Sequence, residues 1–267
     1  MFRRATKLAF KPAGICRYLP HVRAITTTAP KNGKTTTTAT TKLKYQKAYS
    51  KMNTQETEER LGLIFKKFER DAVSISQMLA DAKPEFKGLG EEQVEGTKKK
   101  IFNNIIDLIN VEGYPSEAND DFNKANVNDL VAFILPIVTA FQRGTGRELR
   151  LQRERDIITT NFIGNGDHKF AFVVEAQKAF IGQARRLCML ALKEMGDNNP
   201  GGVLYGFVTS GDCWRIIRYQ GGIFTQTDPV QVVFRTMEHE KEKWLKESSI
   251  IVDFLHAALR SGGFVAE

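Results

Sequence analysis

The spacing of apolar residues divides the chain into a helical first half and a strand-rich second half. Apolar residues recur every three or four positions from Thr54 to about Leu79, from about Glu91 to Asn110 and from about Asn128 to Arg143. This period is typical of amphipathic helices. Pro84 ends the first of them, and Pro136 is expected to kink the third. The pattern therefore predicts three long helices in this half.

The second half contains short apolar runs separated by turns and by one further helix. Four runs predict strands, and a fifth predicts an edge strand: Ile157–Phe162, Phe170–Val174, Val203–Val208, Trp214–Tyr219 and Ile223–Thr225. Helices are predicted over about Ile181–Met195 and Met237–Leu259. Phe170–Val174 is apolar on both faces, which indicates a central strand covered by helices on both sides. The sequence therefore predicts an α/β fold in which a mixed sheet is flanked by helices.

Asn165-Gly166 marks a tight hairpin between the first two predicted strands, because both positions of a type I′ turn need a positive φ. If these residues form the tip and no bulge intervenes, the register of the two strands follows. The expected pairs are Gly164 with Asp167, Phe162 with Lys169, Asp156 with Glu175, and Glu154 with Gln177.

This register predicts a cluster of carboxylates on one face of the hairpin. Glu154, Asp156, Glu175 and Gln177 would share that face, because side chains alternate along a strand. Opposed Cβ atoms lie about 5 Å apart, so the acids repel each other unless a cation or a proton intervenes. Hard oxygen ligands of this kind suit Mg²⁺, and Mn²⁺ is an alternative. The sequence therefore predicts a metal site formed by Asp156, Glu175 and Glu154.

Net charge changes this picture little, because the basic residues are concentrated at the N-terminus. The formal charge is +8, but the first 55 residues hold twelve Lys or Arg and no acid. The rest of the chain has 27 basic and 31 acidic residues. Binding to nucleic acid therefore cannot be argued from the global charge.

The first residues are typical of a mitochondrial presequence, because they are rich in Arg and hydroxyl residues and contain no acid. The alternative is a disordered basic tail that binds RNA or directs the protein to the nucleus. The chain thus divides into a presequence (1–30), a Thr- and Lys-rich disordered linker (31–53), an α-helical region (54–146) and an α/β core (147–267). The matrix is the predicted location, with the nucleus as the alternative.

The remaining chemistry is limited. Three cysteines and four histidines show neither a zinc-ligand spacing nor a Ser/His/Asp arrangement. Lys98-Lys99-Lys100 is expected to be a solvated face of the second helix, with contact to phosphate as the alternative. No run of 18 apolar residues occurs, so no transmembrane helix and no membrane partner are expected.

Three stretches resemble a known superfamily. They are Phe172-Val173-Val174-Glu175-Ala176-Gln177-Lys178, Gly182-Gln183-Ala184 and the run from Gly206 to Trp214. A hairpin, a carboxylate at a strand end, a helix with an early Gln and a strand pair occur in an order that resembles the PD-(D/E)xK, restriction-endonuclease-like nucleases. The stretches are also similar to a group of fungal nuclease-like proteins, some grouped with Crinkler-type proteins. The resemblance covers about residues 125–262.

The resemblance implies a role for individual residues. Asp156 matches the first metal-binding acid, Glu175 the second, and Gln183 the polar residue of the adjoining helix. In the superfamily these residues hold one or two Mg²⁺ ions, and a lysine positions and activates the water that attacks a phosphodiester. Gln177 occupies that lysine position here, and Lys178 follows it on the opposite face of an extended strand.

Two functions are therefore compatible with the sequence. The first is a metal-dependent nuclease that acts on DNA or RNA, with Asp156, Glu175, Gln177, Lys178 and Gln183 at its site. The second is a catalytically degenerate nuclease-like fold that binds nucleic acid or a protein partner. Relatives in the superfamily often act as dimers, so a homodimer is a further expectation. A protein-binding role would show an exposed apolar stripe on the helices between Thr54 and Asn110.

Overall fold

A computed structural model describes residues 49–82, 90–115, 122, 124–146, 149–152, 157–161, 168–177, 181–198 and 202–261. The predicted presequence and residues 31–48 of the predicted linker lie outside these residues. The mixed α/β fold with helices flanking a sheet is confirmed.

The first predicted helix is interrupted twice. Its residues form three helices: α1 (Thr54–Leu61), α2 (Phe65–Arg70) and α3 (Ile75–Ala82). Gly62 ends α1 because it adopts a left-handed conformation with φ of 70°. Val73 leaves helical geometry because its N–H donates to the carbonyl of Gln226 at 2.9 Å. A contact with a strand therefore overrides the helical period at that point.

The second predicted helix is confirmed and the third is divided. They form α4 (Glu91–Glu112), α5 (Lys124–Val131) and α6 (Ile134–Thr145). The chain turns at Ala132 and Phe133, so Pro136 lies in the first turn of α6. Its missing N–H costs little there, because the first N–H groups of a helix lack a partner within the helix. The predicted kink is therefore a break that precedes the proline.

A mixed sheet follows these helices. Its strands are β1 (Leu149–Gln152), β2 (Ile157–Asn161), β3 (His168–Ala176), β4 (Leu204–Thr209), β5 (Cys213–Gln220), β6 (Ile223–Gln226) and β7 (Val230–Gln231). The order is β1-β2-β3-β4-β5-β6, and β7 also pairs with β5. Among these strands, β3 and β4 run parallel and the other pairs run antiparallel.

The parallel pair is joined by the long helix α7 (Ile181–Asn198). A parallel connection needs a crossover, and a helix on one face of the sheet provides it. The predicted final helix is in several pieces: a 3₁₀ turn at Met237–His239, α8 (Lys241–Lys243), a π turn at Trp244–Ser248 and α9 (Ile250–Ser261).

The sheet separates two layers of helices. On one face, Phe172, Tyr205, Phe207 and Trp214 pack in a core with α4, α5, α6 and α9. On the other face, α7 packs on β3, β4 and β5, and α1 packs on α7. The contact between α7 and the sheet is close, because a Cβ added to Gly206 would lie 2.4 Å from the Cys188 sulfur.

One stretch, Ala125–Thr145, is long and apolar enough to cross a membrane by length and composition. It is the α5–α6 pair, which contributes Val127, Leu130 and Ile137 to the protein core. A buried core helix passes the same test, so the absence of a membrane partner stays a prediction.

Candidate functional site

The candidate site lies where the carboxyl ends of β3 and β4 meet the first turn of α7. Because the two strands run parallel, both end at the same edge of the sheet, and the chain leaves β3 there to enter the helix. In open α/β sheets, ligands commonly bind at such an edge.

Of the three acids predicted to bind a metal, Glu175 is the one that lies among the described residues. Its side chain is half-buried near the end of β3. It pairs with Val208 of β4, just as Val173 pairs with Gly206. Glu175 therefore lies on the face of the sheet that α7 covers. Burial raises the pKa of the Cys188 thiol on α7 well above its usual value, and the nearby Glu175 carboxylate raises it further. Cys188 is therefore a buried neutral thiol and no nucleophile.

Gln177 continues the parallel ladder past the end of β3. Its N–H donates to the carbonyl of Thr209 at 2.9 Å, and its side chain is half-buried. Gln183 lies half-buried in the first turn of α7. Glu175 and Gln177 therefore lie at the carboxyl end of β3, and Gln183 lies in the first turn of the helix that follows. An amide at Gln177 can orient a water molecule, but it brings no positive charge.

The expected hairpin register is wrong at every described pair. Ile157 pairs with Val173 and not with Val174, and Asn161 pairs with His168. The register also shifts between Ile158 and Thr159, which is a β-bulge or a similar irregularity. A slip of one residue moves a strand's side chains to the opposite face. The expected opposition of Asp156 and Glu175 therefore loses its basis in the register.

Three predicted site residues, Asp156, Glu154 and Lys178, lie outside the described residues. Within the described ranges, no group of three or more His, Cys, Asp or Glu side chains is placed to hold a metal ion. The half-buried carboxylate of Glu175 is the kind of hard oxygen ligand that Mg²⁺ takes. The metal site of Asp156, Glu175 and Glu154 stays a prediction.

The turn after β4 has a structural role. The Ser210 hydroxyl donates to Asp212 Oδ1 at 2.6 Å, and the Asp212 carbonyl accepts the N–H groups of Val232 and Val233. Burial and the Asp212 carboxylate raise the pKa of Cys213 to about 11. These contacts fix the turn against β7 and the segment that follows it.

Two arginines lie at this edge. The sequence alone offers Arg185 equally as a phosphate contact and as an exposed helix position, and it assigns no role to Arg215. Val208 separates Glu175 on β3 from Arg215 on β5, because it pairs with both. Two strand spacings place the Cα atoms of Glu175 and Arg215 on the order of 10 Å apart. Arg185 lies on α7 one turn before Cys188, and the two arginines interact electrostatically. The alternation of side chains along β5 could have identified Arg215. The residue lies between two core residues, Trp214 and Ile216, so its side chain is on the opposite face of the strand.

The chain matches no protein-family model, no curated protein and no solved structure.

Proposed function

We propose that this protein is a metal-dependent phosphodiesterase of the nuclease type, acting on DNA or RNA. The supporting observation is the position of Glu175. It is a half-buried carboxylate at the end of a central strand, where that strand enters a crossover helix with Gln183 in its first turn. This is the order of elements on which the likeness to PD-(D/E)xK nucleases rests.

In this proposal Asp156, Glu175 and Glu154 hold Mg²⁺ or Mn²⁺, and the choice of Asp156 rests on the likeness to PD-(D/E)xK nucleases and not on the hairpin register. The metal supplies Lewis acidity toward the phosphate and lowers the pKa of its bound water. The Gln177 amide orients the attacking water by hydrogen bonds, and Gln183 supports it from α7. Lys178 is the adjacent cation proposed for the role that the missing lysine plays in the superfamily.

The proposed setting is the mitochondrial matrix, with the nucleus as the alternative. The proposed partner is nucleic acid, and the proposed assembly is a homodimer. The basic N-terminal segment supports an organellar or nuclear address, because it contains twelve Lys or Arg among its first 55 residues and no acid.

The test is cleavage of labelled single- and double-stranded DNA and RNA by the full chain with Mg²⁺, Mn²⁺ or a chelator. We expect metal-dependent cleavage that falls by at least about 100-fold in Glu175→Gln, because this change removes a metal ligand and its charge at constant shape. Glu92→Gln makes the same change at an exposed position of α4 and should retain full activity. Equal cleavage by Glu175→Gln and the native chain would rule out the assigned site.

A second function is favoured by the amide at Gln177. If that position cannot support hydrolysis, the same edge binds nucleic acid without cleaving it, and neither the native chain nor Glu175→Gln cuts any substrate. A role in binding proteins through the N-terminal helices has less support. Among the described residues between 54 and 110, Ile64 is the one large hydrophobic residue whose side chain is exposed. These described residues therefore do not form the exposed apolar stripe that protein binding would require.

A further inference from the structure

Two guanidinium groups lie close together beside the candidate site, on the face of the sheet that α7 covers. Arg215 projects from β5 in the same row as Glu175, and Arg185 projects from α7. Burial lowers the pKa of Arg215, and the nearby charge of Arg185 lowers it further. Two like charges in a half-buried place repel each other, so their proximity favours an anion between them.

Both guanidinium groups are held in place by contacts that do not involve an anion. Arg215 Nη1 donates to the carbonyl of Thr227 at 2.9 Å. Arg185 lies over the ring of Phe65, with its guanidinium carbon 5.8 Å from the ring centroid, and its side chain is 12% exposed. Its Nε is buried and has no hydrogen-bond partner. The pair is therefore preorganised and retains an unused donor.

Two carboxylates now act on this pair, and the larger electrostatic effect on Arg215 comes from Asp228, which follows β6. The carboxylate that reaches Arg185 belongs to the N-terminal helices. Glu69 of α2 forms an ion pair with Arg185 Nη2 and also interacts electrostatically with Arg215. The Glu69 side chain is 51% exposed, so it covers the buried guanidinium group from the solvent side. A change of its rotamer would uncover Arg185 without any movement of α2, because Phe65 is buried and anchors that helix.

We propose that Arg185 and Arg215 form a binding site for a phosphate of the nucleic-acid backbone, and that Glu69 occupies this site as an internal competitor. The identity of the ligand rests on the proposed function. Arginine forks bind phosphate oxygens in pairs, and a phosphate carries more acceptor oxygens than a carboxylate. The row Glu175–Val208–Arg215 places this site about two strand spacings from the candidate catalytic acid. A bound strand would therefore contact Arg215 with a phosphate near the one cleaved.

The experiment measures binding without cleavage. The full chain is titrated against fluorescein-labelled oligothymidine in a chelator, and fluorescence anisotropy is followed at several salt concentrations. We expect Glu69→Gln to bind about three- to tenfold more tightly, because the competing charge is removed. The slope of the logarithm of the binding constant against the logarithm of the salt concentration should steepen by about 0.7 for each added phosphate contact. Inorganic phosphate should compete more strongly than chloride at equal ionic strength.

Two control variants separate this site from general electrostatics. Glu238→Gln removes the same charge from an exposed position in the turn Met237–His239, whose Met237 belongs to the core cluster, and its affinity should stay within about twofold of the native value. Adding Arg215→Gln to Glu69→Gln should abolish the gain. An equal gain in Glu238→Gln, or a gain that survives the loss of Arg215, would overturn the proposal.

The outcomes also distinguish this site from the enzyme activity. Tighter binding by Glu69→Gln without any cleavage would support the phosphate site and reject the nuclease. Cleavage that depends on Glu175, together with unchanged binding by Glu69→Gln, would reject the phosphate site alone. If Glu69→Gln does not fold, Arg215→Gln in the native chain provides the test. A loss of about threefold in affinity is then expected, and an unchanged affinity contradicts the proposal.

Discussion

At the scale of single residues, the most consequential side chains are charged or titratable groups buried between α4 and α9. Lys98 was expected on a solvated face, but it is 9% exposed. Its ammonium group lies 2.9 Å from Glu95 and 3.1 Å from Asp253. Burial alone would lower the pKa of Lys98, but the two carboxylates outweigh it and raise that pKa. The charge is therefore retained by its partners, and the lysine joins the two helices.

His256 shares this region and has no partner for either ring nitrogen. Burial, together with the nearby Lys98 charge, lowers its pKa from 6.5 to about 4. The folded protein therefore keeps the ring neutral where the unfolded chain already binds a proton. The free energy of unfolding should rise with pH through this window and fall as the pH drops from about 6.5 toward 4.

This linkage predicts a pH-dependent loss of stability that disappears in His256→Leu. Between pH 7 and pH 4.5 the histidine should contribute a loss of about 2 kcal/mol in the free energy of unfolding. Urea denaturation of both proteins at the two pH values measures it. Asp253 and Lys98 face the same region and are present in both proteins, so the difference isolates the histidine. An identical pH dependence in His256→Leu would show that the ring is accessible to protons in the fold.

At the scale of elements, the packing of α7 on the sheet decides the geometry of the candidate site. The helix carries Gln183 and Arg185, and it approaches β4 closely at a position without a side chain. A Cβ at Gly206 would lie 2.4 Å from Cys188 Sγ and 2.8 Å from Leu192 Cδ1, and both residues are fully buried. The glycine is therefore required for the close approach of helix and strand.

Gly206→Ala should destabilise the protein by about 2–3 kcal/mol, because the added methyl group overpacks a buried contact. Thermal unfolding measures the loss. Gly182→Ala is the matched control. Gly182 is exposed on α7, and a Cβ there would meet no atom within 4 Å. Equal stability of Gly206→Ala and the native protein would mean that α7 can move away from β4 without cost.

At the scale of the whole molecule, the chain divides into an N-terminal segment, Met1–Gln46, and a larger unit. Lys47–Glu267 forms a compact unit with its own core, in which helices cover both faces of the sheet. The segment before it holds ten of the twelve basic residues that precede the first acid.

Removal of residues 1–46 should leave the midpoint of thermal unfolding within about 2 °C of the full chain. The same truncation should weaken binding to nucleic acid at low salt, because ten basic residues are lost. Calorimetry on the full and truncated chains tests the stability, and fluorescence anisotropy tests the binding to nucleic acid. Loss of a cooperative transition in the shorter chain would show that the segment contributes to the folded core.

The sequence by itself determined the class of the fold and the order of its main helices and strands, but it did not predict β1 or β7 as strands. Helical and alternating periods are local properties, so the α/β class, the helix α4, the crossover helix and the central strand with Glu175 were all predictable. The breaks at Val73 and before Pro136 were not. The first depends on a hydrogen bond to Gln226, which is distant in the sequence, and the second on how α5 and α6 pack on the core.

The tertiary structure alone decided the strand register and the charged partners of the site. The register of β2 and β3 already departs from the symmetric hairpin at Asn161, which pairs with His168 and not with Phe170, and the irregularity between Ile158 and Thr159 reduces the departure from two residues to one. Glu69, Arg185 and Arg215 converge from a helix, a crossover helix and a strand that are far apart in the sequence. Periodicity identifies which face of an element is buried, but the partner of a buried charge follows from packing between elements.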